Sequence, residues 1–353
     1  MALNTHKIGN VPSKVAKALN LVTDKDIYPI DIIADCGLST IYAASNQGTV
    51  QYDDEKYLDI DKLYRTTNTT DSITLIDSYK TVVNTFIQFA KEQKSLLFIG
   101  DILKHVFIQG KNKKTLTDKK KSFSKHIYWP IKHLTSTFNT SFGTMYSNWC
   151  SVYDDTVNRN VWVPSSGIIS AIMVNSDKVS FPWVAPAGLT RGIVSNISDI
   201  SYNYNQQQRG ALYNININTI DDFSGAGYAV FGQKTLQAKP SAFDRINVRR
   251  LFLYLEKVTQ QTVKHYVFEP NTYTTRSNVV NILTPIFQEA KTSTPQGIYD
   301  YRIVCDARNN TSDVVDQQEL KIDIYIKPSR TAEFILVNFY ATRTSQVFAE
   351  LVS

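Results

Sequence analysis

The sequence predicts an α/β protein, with a mixed β-sheet flanked by helices. Three observations predict it. An apolar run at residues 27–34, a helical spacing at 77–94 and a second apolar run at 95–100 follow one another as strand, helix and strand, an order that calls for parallel pairing. Two further helical periodicities occupy 241–262 and 276–290. Between them and the end lies an alternation of period two, at 320–327.

Each element has its own warrant. Residues 27–34 read as a strand ending in the turn Asp35, Cys36 and Gly37. Val82, Val83, Phe86, Ile87, Phe89 and Ala90 recur at near-helical spacing, and residues 95–100 form a short apolar strand. Residues 104–133 then change character, with nine lysines and three histidines against the single acid Asp118. A lysine run of this kind reads first as a solvated loop or insertion, and secondly as a contact with an acidic partner. From Thr144 the texture is strand-like, and residues 166–175 suit a buried helix. Two prolines and a glycine around Trp183 fix a rigid loop.

The final third is the most regular. Val248, Leu251, Phe252, Leu255 and Val258 share one helical face while Ile246, Leu253 and Tyr254 fall elsewhere, so that helix is covered on more than one side. The next helix turns Val279, Val280, Leu283 and Phe287 inward, and Pro285 is expected to bend or break it. Residues 298–305 read as a strand. Leu320, Ile322, Ile324 and Ile326 alternate with Lys321, Asp323, Tyr325 and Lys327 until Pro328 stops the ladder. Phe334, Ile335, Leu336, Val337, Phe339 and Tyr340 are apolar on both strand faces, which calls for cover on both, another molecule being one source of it.

Composition removes several function classes. At 353 residues the chain suits two or three domains, and 42% apolar against 20% charged residues excludes a disordered tail. A surplus of 38 basic over 32 acidic side chains leaves only +6, too mild to announce a nucleic-acid binder. Cys36, Cys150 and Cys305 are too scattered for a metal pair or a disulfide framework and suggest a reducing compartment. The first residues lack an apolar h-region, and no run of about 18 apolar residues exists to span a membrane.

The catalytic inventory is poor: no nucleophile elbow, phosphate loop, dinucleotide fingerprint or HExxH motif occurs. The five histidines have no ligand spacing, so neither metal nor cofactor is expected. Asp35 with Ser39 after an apolar strand is the best decoy for a Mg²⁺ site, against the simpler reading of a turn with Gly37 at an unusual φ. Gly225 and Gly227 suggest a flexible loop. Arg249 and Arg250 with Glu269 suit a buried ion pair or an interface pair.

The C-terminal half also carries a series of phrases in fixed order: Trp183-Val184-Ala185-Pro186-Ala187-Gly188-Leu189, Leu212-Tyr213-Asn214-Ile215-Asn216, Phe231-Gly232-Gln233-Lys234-Thr235, and Phe243-Asp244-Arg245-Ile246-Asn247-Val248-Arg249-Arg250. Phe268-Glu269-Pro270-Asn271, Cys305-Asp306-Ala307-Arg308-Asn309-Asn310, Ile324-Tyr325-Ile326-Lys327-Pro328 and Ala341-Thr342-Arg343-Thr344 follow. The series resembles the tail sheath proteins of contractile-tailed bacteriophages, most closely their T-even-like branch. The likeness is strong over 147–352 and looser over 15–100. The positions that carry it include Trp183, Pro186, Gly188, Asp244, Arg249, Arg250, Glu269, Asn309, Asn310 and Pro328.

The resemblance implies a structural protein rather than an enzyme. Subunits of this family stack as hexameric rings around a tail tube and contract to drive it through the host envelope. The implied partners are further copies of the chain, the tail tube protein, and the baseplate and tail terminator proteins. The implied location is the virion tail, after assembly in the host cytoplasm. Exchanged strands join neighbouring subunits in such sheaths, which points to Phe334, Ile335, Leu336, Val337, Phe339 and Tyr340, or to Val347 and Phe348 in the tail, as the exchanged segment. The resemblance divides the chain into a short segment 1–20, a core part 21–165 with the lysine-rich insertion, and a C-terminal domain 166–353 ending in the arm 331–353. Long members carry extra outer domains and an N-terminal arm, so the expectation is a minimal sheath or the C-terminal portion of one. The competing readings are the sheath of a related contractile injection system, an accessory protein binding nucleic acid through the lysines, and an α/β enzyme using Asp35.

Overall fold

The computed structural model describes residues 11–25, 27–45, 70–104, 108–109, 114–115 and 123–333. Its first half is a three-layer arrangement around a parallel sheet. Helix α1 (Val11–Asn20) precedes β1 (Ile32–Ala34), α2 (Leu38–Ser45), α3 (Thr70–Gln93) and β2 (Leu97–Asp101). Ile32, Ile33 and Ala34 pair in parallel with Leu97, Phe98 and Ile99. The strand–helix–strand reading therefore holds, but only three residues of the run 27–34 form the strand. Pro29 supplies no donor, and the preceding residues close locally instead, Tyr28 N–H donating to the Asp24 carbonyl.

A small hairpin, β3 (Ile108–Gln109) with β4 (Lys114–Thr115), falls within the lysine-rich stretch. Most of that stretch lies outside the described residues. Its end is no loop: a π turn at Ser124–Tyr128 runs into α4 (Trp129–Thr135), which buries Ile131 and Leu134. Strand β5 (Gly143–Tyr146) completes the parallel sheet on the far side of β2, with Phe98 opposite Gly143 and Asp101 opposite Tyr146.

Chain direction changes at the buried pair Ser147 and Asn148. Strand β6 (Trp149–Asp154) then pairs antiparallel with β7 (Arg159–Pro164) and with the short β8 (Asp199–Ile200). Parallel and antiparallel pairings thus occupy separate sheets among the described residues, rather than one mixed sheet. Helix α5 (Ser165–Val179) lies between β7 and β8 in sequence, as does α6 (Gly188–Arg191). Helix α7 (Gln206–Asn214) leads to the hairpin of β9 (Thr219–Phe223) and β10 (Gly227–Phe231). Gly225, expected in a flexible loop with Gly227, lies in the tight turn of that hairpin at φ +83°, and Gly227 opens β10 at φ +76°.

Strand β2 is buried along its whole length because both faces are covered. Phe98 stacks on Phe86 of α3, with ring centroids 5.2 Å apart. Leu97 and Ile99 face the other way, into a cluster with Ile169 and Met173 of α5.

At the C-terminal ends of β1 and β2 sit two buried carboxylates. Asp101 Oδ1 accepts Ser166 N–H at 2.7 Å and the Ser165 hydroxyl at 3.1 Å, while Oδ2 accepts the Ser166 hydroxyl at 2.5 Å and Gly37 N–H at 3.3 Å. Pro164 offers α5 no side-chain cap, so Asp101 caps that helix from the strand beside it. Asp35 receives the backbone N–H and hydroxyl of Ser39 at 3.0 and 2.5 Å. Burial, then the Asp101 charge, pushes the Asp35 carboxyl up to about 7. A raised folded-state value means that stability present below pH about 4 is lost as pH rises toward about 7. Asp35→Asn, which cannot ionise, should flatten that loss: its melting temperature should change less between pH 4.5 and 8 than that of the unmodified protein. Equal slopes would show that Asp35 carries no proton there.

The C-terminal part holds α8 (Ile246–Val263), α9 (Tyr273–Thr292), β11 (Ile298–Val304), the short α10 (Ser312–Asp316) and β12 (Asp323–Pro328). Helix α8 joins two cores, as its periodicity predicts. Ile246 and Leu253 enter the cluster behind β2, whereas Leu251 and Leu255 pack with Val279, Leu283, Phe287 and Ala290 of α9. Pro285 neither ends nor interrupts α9. It lies on the exposed side, and buried Val279, Leu283, Phe287 and Ala290 hold the turns on either side of it.

Candidate functional site

The C-terminal part ends in a sheet with only two strands, β11 and β12, paired antiparallel from Val304–Asp323 to Ile298–Pro328. Neither outer edge pairs with another strand among the described residues. Tyr301, Ile303, Ile324 and Ile326 face α9, yet each stays half-buried although its pattern is that of a core strand. The opposite face carries Asp300, Arg302, Tyr325 and Lys327. Two strands rarely stand alone in water, and this pair relies on the helix behind it. The ring of Phe287 lies 5.6 Å from that of Tyr301.

The entrance to β12 is held by asparagines. Asn309 Nδ2 donates to the carbonyls of Val304 and Lys321 at 2.8 and 3.1 Å and to Asp323 at 2.9 Å. Asn310 Oδ1 accepts Lys321 N–H at 2.8 Å, and its Nδ2 donates to the Lys321 carbonyl at 2.9 Å. These side chains take the backbone groups that a longer ladder would use. That is why the strand begins at Asp323 and not at Leu320, where the alternation begins.

The other positions picked out in the sequence are spread through the supporting framework. Trp183 is buried, stacks on Phe181 at 4.5 Å and donates from Nε1 to the Pro295 carbonyl at 3.0 Å. A β-carbon at Gly297 would lie 2.9 Å from the indole, so glycine is what lets the turn before β11 approach it. Pro186 is buried in the same loop, and Gly188 opens α6 at φ +86°. Asp244 pairs with Arg245 at 3.0 Å. Pro328 closes β12 opposite Ile298.

Arg249 and Arg250 do not meet Glu269. The Arg249 guanidinium lies 4.2 Å from the Phe142 ring centre and 4.0 Å from that of Phe243, and it donates to Ser141. Burial there pulls its pKa down to about 10. Arg250 pairs with Asp177 of α5, which ties α8 to α5. Glu269 is exposed in the loop before α9, beyond the far end of α8, so chain geometry separates it from both arginines.

Sequence reasoning passed over a second feature near the last described residues. Glu333 receives a two-pronged contact from Arg245, with Nε to Oε1 at 2.5 Å and Nη2 to Oε2 at 2.9 Å. Gln233 adds a bond to Glu333 at 3.2 Å and another to Thr331. The chain leaving β12 is therefore fastened to the body at Glu333. Planar pairing of this kind is among the stronger ionic contacts. No local pattern announces it, because Glu333 and Arg245 are 88 residues apart. Phe334, Ile335, Leu336, Val337, Phe339, Tyr340, Val347 and Phe348 lie outside the described residues.

No group of three or more His, Cys, Asp or Glu side chains suited to a metal occurs among the described residues. Asp35 and Asp101 spend their oxygens on internal donors. No helix among the described residues is long and apolar enough to cross a membrane.

The sequence of this sheet falls within a stretch similar to known proteins. Residues 238–342 match the phage tail sheath C-terminal domain. Over 214 residues the chain is 38% identical to the tail sheath protein of Vibrio phage KVP40, covering 61% of this chain and 32% of that one. The tail sheath protein of Enterobacteria phage T4 matches at 38% over 218 residues, covering 61% of this chain and 33% of that one. The chain thus spans about a third of the length of the curated relatives it matches. The fold resembles a chain in the anti-feeding prophage baseplate, with a TM-score of 0.58 at 19% identity over 76% of this chain and 66% of that one. It also resembles a chain of the PVC extracellular contractile injection system sheath in its contracted state, with a TM-score of 0.58 at 20% identity over 75% and 69% of the two chains. The chain thus carries a stretch similar to the sheath C-terminal domain, and over 61% of its length it is similar to the tail sheath proteins of contractile-tailed phages.

Proposed function

We propose that the chain is a structural subunit of a contractile phage tail sheath, assembling with copies of itself as stacked hexameric rings around a tail tube. On a baseplate signal the array contracts and drives the tube through the host envelope. The observation that carries this reading is the two-stranded sheet of β11 and β12, with open edges and a half-buried inward face, inside the stretch matched to the sheath C-terminal domain. A strand added from a neighbour would supply main-chain hydrogen bonds to an edge and cover the isoleucines behind it. Repeating such a head-to-tail contact builds rings and helices rather than closed dimers, and subunits joined by a strand can move while staying attached. The donated strand is residues 334–340 or the tail 346–352. Further partners under this reading are the tail tube protein and the baseplate and tail terminator proteins. The location is the virion tail, after assembly in the host cytoplasm, and neither a catalytic group nor a cofactor is required.

Cutting the chain after Glu333 tests this reading. The cut keeps the Arg245 contact, which one after Pro328 would destroy. The full chain should form rings or tubes in negative stain, and the shortened one should stay monomeric with the same melting temperature. Normal tubes from the shortened chain would overturn the donated strand. A full chain that stays monomeric at high concentration would overturn the sheath reading.

A further inference from the structure

The turn between α8 and α9 presents an aromatic side chain that packs against nothing among the described residues. Phe268 is 103% exposed, as free as in an extended peptide, and Val267 and Tyr273 beside it are 57% and 79% exposed. Its backbone is left-handed, at φ +74°, a conformation disfavoured for any residue with a β-carbon. Among the described residues it is the only aromatic so placed. A glycine or asparagine would normally end a helix in this way.

The turn is held firmly in that shape. Val267 N–H donates to the Lys264 carbonyl at 3.3 Å, Glu269 N–H to Tyr266 at 3.2 Å and Thr272 N–H to Pro270 at 2.8 Å. Asn271 Nδ2 reaches across to Asn310 Oδ1 at 3.2 Å and to the Glu319 carbonyl at 2.8 Å. Asn310 in turn holds Lys321 at the entrance of β12. The exposed ring and the open sheet are therefore carried on one braced unit. Strain and apolar exposure together, maintained by several hydrogen bonds, mark a contact that is completed outside the chain.

We propose that Phe268 is an anchor of the contact between subunits, its ring seated on a second copy of this chain. The inference rests on the sheath reading above. The second copy is the occupant because Asn271 and Asn310 couple the turn directly to the sheet at which neighbouring copies meet in that reading. A buried aromatic at the centre of such a contact carries far more binding energy than its neighbours.

The test compares Phe268→Asn and Phe268→Leu with the unmodified full chain, reading the critical concentration for tube formation and the melting temperature of the dilute monomer. Asparagine accepts the left-handed backbone but removes the apolar ring. It should leave the melting temperature unchanged or higher and raise the critical concentration at least about 30-fold. Leucine, apolar but no better suited to the backbone, should assemble within about threefold to tenfold of the unmodified chain. Equal assembly by the unmodified chain and Phe268→Asn would overturn the inference while leaving the sheath reading intact. A lower melting temperature of Phe268→Asn with unchanged assembly would place the ring against its own chain, and a defect seen only when tube protein is added would place it on that protein. Either outcome overturns the proposal. Failure of the unmodified chain to assemble would overturn the sheath reading on which it rests.

Discussion

Replacing Asp101 by alanine is expected to destabilise the protein by about 3–5 kcal/mol, measured by denaturant unfolding at pH 5. The carboxylate is fully buried and accepts four hydrogen bonds from three residues in two segments: Gly37 in the turn after β1, and Ser165 and Ser166, the first two residues of α5. Alanine would leave Ser166 N–H and Gly37 N–H without acceptors in a site closed to water. Each orphaned buried donor costs about 1–3 kcal/mol, while the serine hydroxyls can turn elsewhere. Asp35 holds its proton at pH 5, so no charge repulsion is relieved, and the sum stays below the total of the separate bonds because the two hydroxyls find other partners. Asp101→Asn, which keeps one acceptor oxygen, should lose less. A cost under about 1 kcal/mol for alanine would show that α5 is positioned by its apolar face alone.

Phe287→Ala should cost about 3–5 kcal/mol and also impair assembly. The side chain is almost fully buried, midway along α9, and its ring backs Tyr301 on β11. Removing it opens a cavity under the two-stranded sheet, which has no neighbouring strand among the described residues to keep it in place. Phe287→Leu fills most of that space and should cost far less, with assembly retained. Unfolding curves give the first effect and negative-stain images the second. If alanine lowered stability without altering tubes, the sheet would not depend on the helix behind it.

These two residues differ in how far the sequence exposes them. Phe287 follows from spacing, since with Val279 and Leu283 it repeats every four residues on one helical face. Asp101 follows from nothing local: its partners Gly37, Ser165 and Ser166 lie 64 and 65 residues away along the chain. The same division runs through the C-terminal sheet. The alternation at 320–327 marks a strand and its inward face correctly. Its true start depends on Asn309 and Asn310, which claim the backbone of Lys321 from the far side of a loop. Pro285 looks like a break when read alone and is carried without interruption when read with the buried residues around it. Arg249, Arg250 and Glu269 share one charge logic on paper, but the length of α8 sends them to different ends of the helix.

By itself the sequence determined the α/β class, both long C-terminal helices with their buried faces, and the ordered phrases that resemble the tail sheath proteins. These are local properties: a period of 3.6 or 2 and a run of side chains are visible along the chain because they repeat over a few residues. Only the tertiary structure decided that parallel and antiparallel strands separate, that Asp101 caps α5, that Glu333 is fastened to Arg245, and that Phe268 is left in water. Each is a relation between groups distant in sequence, or the absence of one, and it exists only once packing has chosen which surfaces meet.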